Sequence, residues 1–149
     1  MVSRRAALLG AGAAGGFALL PGTASATVEL RDQVLAELTR VAPVDTGRVT
    51  LTIPGVAENG LSVYTIVEVE SPMTEADHVR AVHILAANNP IARLFTASFT
   101  PASGIARVAT NIRLGGSQEV TALAEMSDGS FWQDRKQVVV TIAACVDGG

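Results

Sequence analysis

One cysteine and two histidines are all that the 149 residues hold of thiol and imidazole metal ligands. A single cysteine closes no disulfide within the chain, and no cluster of thiols and imidazoles is there to hold a metal or a cofactor. Lysine also occurs only once. With 11 Lys+Arg against 14 Asp+Glu the formal charge is −3, and such a mildly acidic surface argues against nucleic acid and against an anionic membrane surface. The apolar run from Ala6 to Leu20 is about fifteen residues, short of the roughly 20 that a membrane-spanning helix needs. Internal repeats and low-complexity segments are absent.

The N-terminus reads as an export signal. Ser3-Arg4-Arg5-Ala6-Ala7-Leu8 is a twin-arginine pattern, the apolar run follows, Pro21-Gly22 breaks it, and Ala24-Ser25-Ala26 is a small-x-small cleavage site. Residues 1–26 are expected to be a twin-arginine signal peptide, with the mature chain starting at Thr27 in the periplasm. Loss of Arg4 and Arg5 leaves nine basic residues against 14 acidic, a charge of about −5, on 123 residues, enough for one compact domain. An oxidising compartment usually pairs its cysteines, so an odd one signals intermolecular pairing or a reactive thiol. The twin-arginine route exports folded proteins, and a chain without cofactor ligands suggests export with a folded partner.

Leu30, Val34, Leu38 and Val41 fall on one helical stripe, with Glu29, Arg31, Asp32, Glu37 and Arg40 largely off it. This predicts an amphipathic helix from Val28 to Arg40, closed by Pro43, and a linker from Ala42 to Gly47. From Arg48 the apolar period becomes two. Val49, Leu51 and Ile53 alternate with threonines up to Pro54-Gly55, and Asn59-Gly60 marks a turn. Strands follow at Ser62–Glu70, His78–Ala86, Leu94–Thr100, Ala106–Leu114, Gln118–Met126 and Phe131–Ile142. Seven strands with turn signals every 8–12 residues predict an all-β, immunoglobulin-like antiparallel sandwich, without the Cys–Trp–Cys signature of antibody domains.

Catalytic groups are hard to find on this framework. His78 and His83, five apart, fall on opposite faces of a regular strand and do not chelate one metal. Glu68 and Glu70 share a strand face and Glu75 and Asp77 follow, yet exposed carboxylates on a strand are commoner than an acid/base pair. Gly115-Gly116 lacks the context of a phosphate loop, and Ser103 has no histidine near it in sequence. Met73, Met126, Phe131 and Trp132 are core candidates that could also form a contact surface. By its residues the chain is not an enzyme.

Cys145 stands apart. It is the fifth residue from the end of the sequence, in Ala143-Ala144-Cys145-Val146-Asp147-Gly148-Gly149, behind the strand Val138-Val139-Val140-Thr141-Ile142. A structural cysteine wants a core or a partner thiol, which a chain end rarely supplies. Two readings stand at this level: a stray thiol on a frayed tail, or a thiol that reaches into another protein's active site.

Ile53-Pro54, Ala57-Glu58-Asn59-Gly60 and Val69-Glu70-Ser71-Pro72-Met73-Thr74 resemble the SoxY family of the bacterial thiosulfate-oxidising system. So do His83-Ile84, Asn89-Pro90, Phe99-Thr100-Pro101-Ala102-Ser103-Gly104, Ile112-Arg113-Leu114, Ala124-Glu125-Met126-Ser127-Asp128-Gly129-Ser130 and Val140-Thr141-Ile142. The resemblance covers about Val49 to Ile142 and the leader, and divides the chain into 1–26 signal peptide, 27–48 helix and linker, 49–142 sandwich, and 143–149 arm. It implies a non-catalytic carrier that holds thiosulfate-derived sulfur on a cysteine of a mobile arm, with no cofactor beyond that thiosulfonate or persulfide adduct. It implies a heterodimer with SoxZ, and transient contacts with the haem enzyme SoxAX, the hydrolase SoxB and a sulfane dehydrogenase. Carried over, Cys145 is the point of sulfur attachment.

The arm departs from the family's usual Gly-Gly-Cys-Gly-Gly. Ala143-Ala144 stand where two glycines are usual, restricting the backbone, and Val146-Asp147 precede Gly148-Gly149. Seven residues still span up to about 23–25 Å. Asp147 and a terminal carboxylate would raise the thiol's pKa and repel thiosulfate, leaving activation to the partner enzymes. The alternative is a SoxY-like binding or structural subunit of another periplasmic complex that carries no sulfur.

Overall fold

The computed structural model describes residues 28–142. The leader and the segment 143–149, with Cys145, lie outside the described residues. Helix α1 runs Val28–Thr39, followed by nine strands: β1 Val44–Thr46, β2 Val49–Thr52, β3 Val56–Asn59, β4 Val63–Val69, β5 Val79–Ala86, β6 Arg93–Ser98, β7 Arg107–Ile112, β8 Gln118–Met126 and β9 Phe131–Ile142. One 3₁₀ turn, Pro101–Ser103, precedes β7.

The strands form a sandwich of the immunoglobulin type. One sheet has six strands in the order β1-β9-β8-β5-β6, with β3 also on β9, and the other has three in the order β2-β4-β7. The alternating valines of β4 supply one inner face: Val63, Val67 and Val69 are buried while Tyr64, Glu68 and Glu70 are exposed. Val82, Ile84, Val120, Ala122, Ala124, Met126 and Val138 supply the other, each with no accessible surface. Burying a valine, isoleucine or methionine side chain contributes about 1.5–3 kcal/mol, so these few residues dominate the favourable side of folding.

Two strands exceed the seven expected from periodicity. β1 lies in what reads as a linker and β3 in what reads as a turn, and both pair parallel with β9, not antiparallel. β9 is long enough to explain them. Of its 12 residues, Phe131–Val138 pair along one edge with β8, while the opposite edge takes β1 at Phe131–Gln133 and β3 at Val139–Ile142. Between those strands the chain crosses to the second sheet as β2, and there the Asp134 carboxylate of β9 accepts the Leu51 N–H at 2.9 Å.

Helix α1 also departs from its sequence pattern. Arg31 and Thr39 are its buried residues, while Leu30, Val34 and Leu38 are half-buried. The Arg31 guanidinium contacts Asp32 and Glu119, and long cationic side chains commonly bury their aliphatic stems. The helix stops before Val41. Arg40 and Val41 take φ of 52° and 63°, and Val41 turns outward at 83% exposure. The stripe therefore loses Val41 and gains Arg31.

Candidate functional site

Cys145 itself is not among the described residues, so the site is built from the strand that leads to it. β9 is anchored at its start by buried Phe131 and in its middle by Val138, with no accessible surface. The register with β8 closes at Gln118↔Val138, and the last four residues run on past β8. β3 accompanies them, with Val56 opposite Val139 and Asn59 opposite Ile142.

Four hydrogen bonds of 2.9 Å help to fix this overhang. The Val139 N–H donates to the Gly55 carbonyl at 2.9 Å, and the Gly60 N–H donates to the Ile142 carbonyl at 2.9 Å. The Thr141 hydroxyl donates to the Glu58 carbonyl at 2.9 Å. On the other side the Ser117 hydroxyl accepts the Val140 N–H at 2.9 Å. Each bond contributes roughly 0.5–1.5 kcal/mol net, and together they hold the strand in one place to its last described residue.

Ser117 is held in turn by a buried polar network. The Asn89 carboxamide oxygen accepts from the Gly115 N–H at 3.0 Å and from the Gln118 Nε2 at 2.8 Å. Asn89 Nδ2 donates to the Arg113 carbonyl at 2.8 Å, and Gln118 Oε1 accepts the Asn88 N–H at 2.8 Å. Asn89 and Gln118 are both buried, where such groups must be paired. The Gly115-Gly116 turn is thereby tied into the fold next to the end of β9.

A groove of about 760 Å³ opens at the same end, between the start of α1 and the β8–β9 ribbon, and Arg31, Ser117, Glu119 and Arg135 are among its lining residues. Its charges are paired. Glu119 contacts both Arg31 and Arg135, so the groove presents no unpaired cation for an anion.

The remaining candidates are dispersed. Thr96 Oγ1 on β6 is 2.9 Å from His83 Nδ1, His83 is buried, and burial holds its imidazole pKa below the usual value, helped by Arg93 and opposed by Glu125. His78 Nδ1 contacts the Thr74 carbonyl at 3.0 Å. Glu68 pairs with Arg107 at 3.2 Å and Asp77 with Arg48 at 3.3 Å, while Glu70 and Glu75 are exposed. The Ser103 hydroxyl accepts the Thr100 N–H, capping the 3₁₀ turn. Met73, Met126 and Phe131 are buried. Trp132 is half-buried, donates from Nε1 to Ser130 Oγ at 3.1 Å and lies under the Arg48 guanidinium. Among the described residues no group of three or more His, Cys, Asp and Glu could hold a metal ion, and no helix is long and apolar enough to cross a membrane.

The bonds around the overhang involve Ser117, Asn59-Gly60, Thr141 and the short strand β3, which the sequence pattern marks only as turns and a strand end. Asn59-Gly60 was the one legible signal.

Comparison with solved structures places this architecture. The SoxY sulfur carrier protein of Chlorobium limicola f thiosulfatophilum superposes with a TM-score of 0.65 at 18% identity, over 78% of this chain and 100% of that one. A superoxide reductase (neelaredoxin) of Ignicoccus hospitalis superposes with a TM-score of 0.58 at 17% identity, over 65% and 94% of the two chains. A putative superoxide reductase of Thermotoga maritima gives a TM-score of 0.55 at 17% identity, over 65% and 93%. At such identities the likeness is one of fold. No curated protein matches the chain by sequence. The family model described as sulfur oxidation protein SoxY matches residues 34–145, from within α1 to Cys145. The chain belongs to the SoxY family of sulfur oxidation proteins.

Proposed function

We propose that this chain is a periplasmic sulfur carrier whose Cys145 holds thiosulfate-derived sulfur covalently and presents it to the enzymes of a Sox system. One observation carries the reading: the family match ends at residue 145, the only cysteine of the chain, three residues beyond the fixed and exposed end of β9. The sandwich is the holder and the segment after Ile142 is the handle. The twin-arginine leader supports the periplasm as its compartment.

The chemistry at Cys145 is sulfur transfer in two balanced steps. In the first, the thiolate and thiosulfate form a sulfur–sulfur bond, giving a thiosulfonate adduct, and two electrons leave to a haem enzyme of the SoxAX kind. In the second, water attacks the terminal sulfone, the sulfur–sulfur bond breaks, sulfate leaves, and the electron pair stays on the persulfide. A hydrolase of the SoxB kind serves that step, and a sulfane dehydrogenase then oxidises the remaining sulfur, taking its electrons while water supplies the oxygen, so that the same hydrolysis can release it as sulfate. The carrier contributes position and no acid, base or metal. A SoxZ subunit completes the carrier as a heterodimer.

The test is intact mass of the protein from thiosulfate-grown cells, with and without reductant. Reductant-sensitive additions of sulfur or thiosulfate that vanish in Cys145→Ser are the expected result. An unmodified Cys145 overturns the reading and favours a SoxY-like binding or structural subunit, the role that the Ala143-Ala144 and Val146-Asp147 departures would suit.

A further inference from the structure

We propose that the apolar residues around the end of β9, namely Val56, Leu61, Val139 and Ile142, form the surface on which an enzyme acting on Cys145 seats itself. This rests on Cys145 being the sulfur-bearing residue. The first observation is length. Cys145 lies three residues past Ile142, and three extended residues span at most about 10–11 Å. An active site that reaches Cys145 must therefore come within that distance of Ile142, and the rim of its cleft necessarily meets the surface around it.

The second observation is what that surface presents. Among the described residues nine large apolar side chains are exposed, and four of them belong to β3, the turn after it and the end of β9. Val56 and Val139 are register partners at 61% and 47% exposure. Ile142, three positions beyond Val139 and so on the other face of the strand, is 66% exposed, and Leu61 at 48% follows Gly60, whose N–H binds the Ile142 carbonyl, so the apolar groups flank the strand end on both faces. Of the other five, Val41, Ile91 and Ile105 lie in loops, Val28 begins α1 and Tyr64 is on β4, and single exposed apolar residues need no explanation. Segments 55–62 and 138–142 carry no lysine or arginine, and Glu58 is their one charge.

The third observation is rigidity. The hydrogen bonds that fix residues 139–142 also fix the apolar groups they carry. A partner meets a preformed surface and orders little upon docking, which favours binding. The partner chemistry that fits is a folded enzyme with an apolar collar around a narrow cleft. Seating the collar here delivers Cys145 at a depth set by three residues of chain.

The test separates docking from sulfur chemistry. The mature chain, assembled with its SoxZ-type partner, is loaded with tetrathionate. The Cys145 thiolate attacks one of its inner sulfurs, a sulfur–sulfur bond forms as another breaks, and thiosulfate leaves. Sulfate release by a SoxB-type hydrolase is then measured for the wild type and for a Leu61→Thr, Val139→Thr, Ile142→Thr variant, which keeps β-branched side chains on the strand. The expected result is a tenfold or greater loss in kcat/KM, carried by KM, with loading and N-ethylmaleimide labelling of Cys145 unchanged. Wild-type kcat/KM in the variant overturns the proposal, as does a loss confined to assembly with the sandwich partner. If the triple variant melts lower, Leu61→Ser alone, placed in a turn, is measured and must raise KM at least threefold. Failure to load Cys145 in the wild type would instead strike the carrier reading.

Discussion

The Gly60 N–H donates to the Ile142 carbonyl at 2.9 Å, so the turn that ends β3 holds the last described residue of β9, 82 positions away in sequence. With Ser117 on the opposite side, it makes the end of the strand a fixed post. The carrier reading needs such a post, because a thiol on a short segment is presented reproducibly only if the segment leaves from one place.

Ser117→Ala tests that post. The hydroxyl accepts the Val140 N–H, and Val140 is half-buried, so its amide loses a partner that water replaces incompletely. The expected cost is about 1 kcal/mol, measured by denaturant unfolding. No loss of stability would mean the bond does not hold the strand.

Arg31→Ala is expected to loosen α1. The guanidinium is buried between Asp32 and Glu119, whereas Glu119 is about a third exposed and keeps Arg135. Screening at the exposed carboxylate reduces the cost below that of a fully buried pair, to roughly 2 kcal/mol including lost packing of the stem. A double-mutant cycle with Glu119→Gln should show non-additive losses. Additive losses would show that Arg31 acts by packing alone.

Much of the sandwich was legible from period-two alternation, because β2 and β4 to β9 each carry a buried or, in β6, half-buried face against solvent or a second layer. β1 and β3 were not, since three or four residues show no period and their pairing depends on a strand some 80 residues later. Arg31 was misplaced for a similar reason: its burial depends on Glu119, 88 residues away, and no local pattern reports that. At the site, the isolation of Cys145 was plain in the sequence. The fixing of residues 139–142 and the apolar surface around them were not, because they arise only where β3, β9 and the loop at Ser117 meet.

Stability should fall with acid through His83. The unfolded imidazole takes a proton near pH 6.5, while the folded one, desolvated and near Arg93, resists it to lower pH. In the window from 6.5 down to the folded value the unfolded state binds more protons. The histidine's contribution is therefore fully present above 6.5 and is lost as pH drops through that window. Denaturant midpoints measured between pH 7.5 and 5 should decline, and His83→Gln should flatten part of that decline. An unchanged slope in the variant would assign the decline to other groups.

Thr121→Val should be neutral or stabilising by up to about 1 kcal/mol. Among the described residues Thr121 has a fully buried hydroxyl with no hydrogen-bond partner, and a near-isosteric methyl removes that desolvation cost without opening a cavity. A thermal melt decides it. A loss of more than 1 kcal/mol would reveal a partner for the hydroxyl.

Deleting Ala143 and Ala144 gives the strictest test of reach. In the wild type Cys145 lies up to about 10–11 Å beyond Ile142. After the deletion it adjoins Ile142 and lies one Cα–Cα step away, about 3.8 Å. The bonds that hold β9 up to its last described residue are made by residues that the deletion keeps. Tetrathionate, a small diffusible reagent, should still load the thiol. An enzyme whose collar stops at Val139, Leu61 and Ile142 cannot draw the shortened segment inward. Misplacement by even 1 Å can cost 10²-fold in rate, so sulfate release should drop at least that far while loading persists. Replacing both alanines by glycines keeps the length and should retain activity. Equal rates for the deletion and the wild type would mean the enzyme does not read distance from Ile142, and the fixed end of β9 would then have no part in presentation.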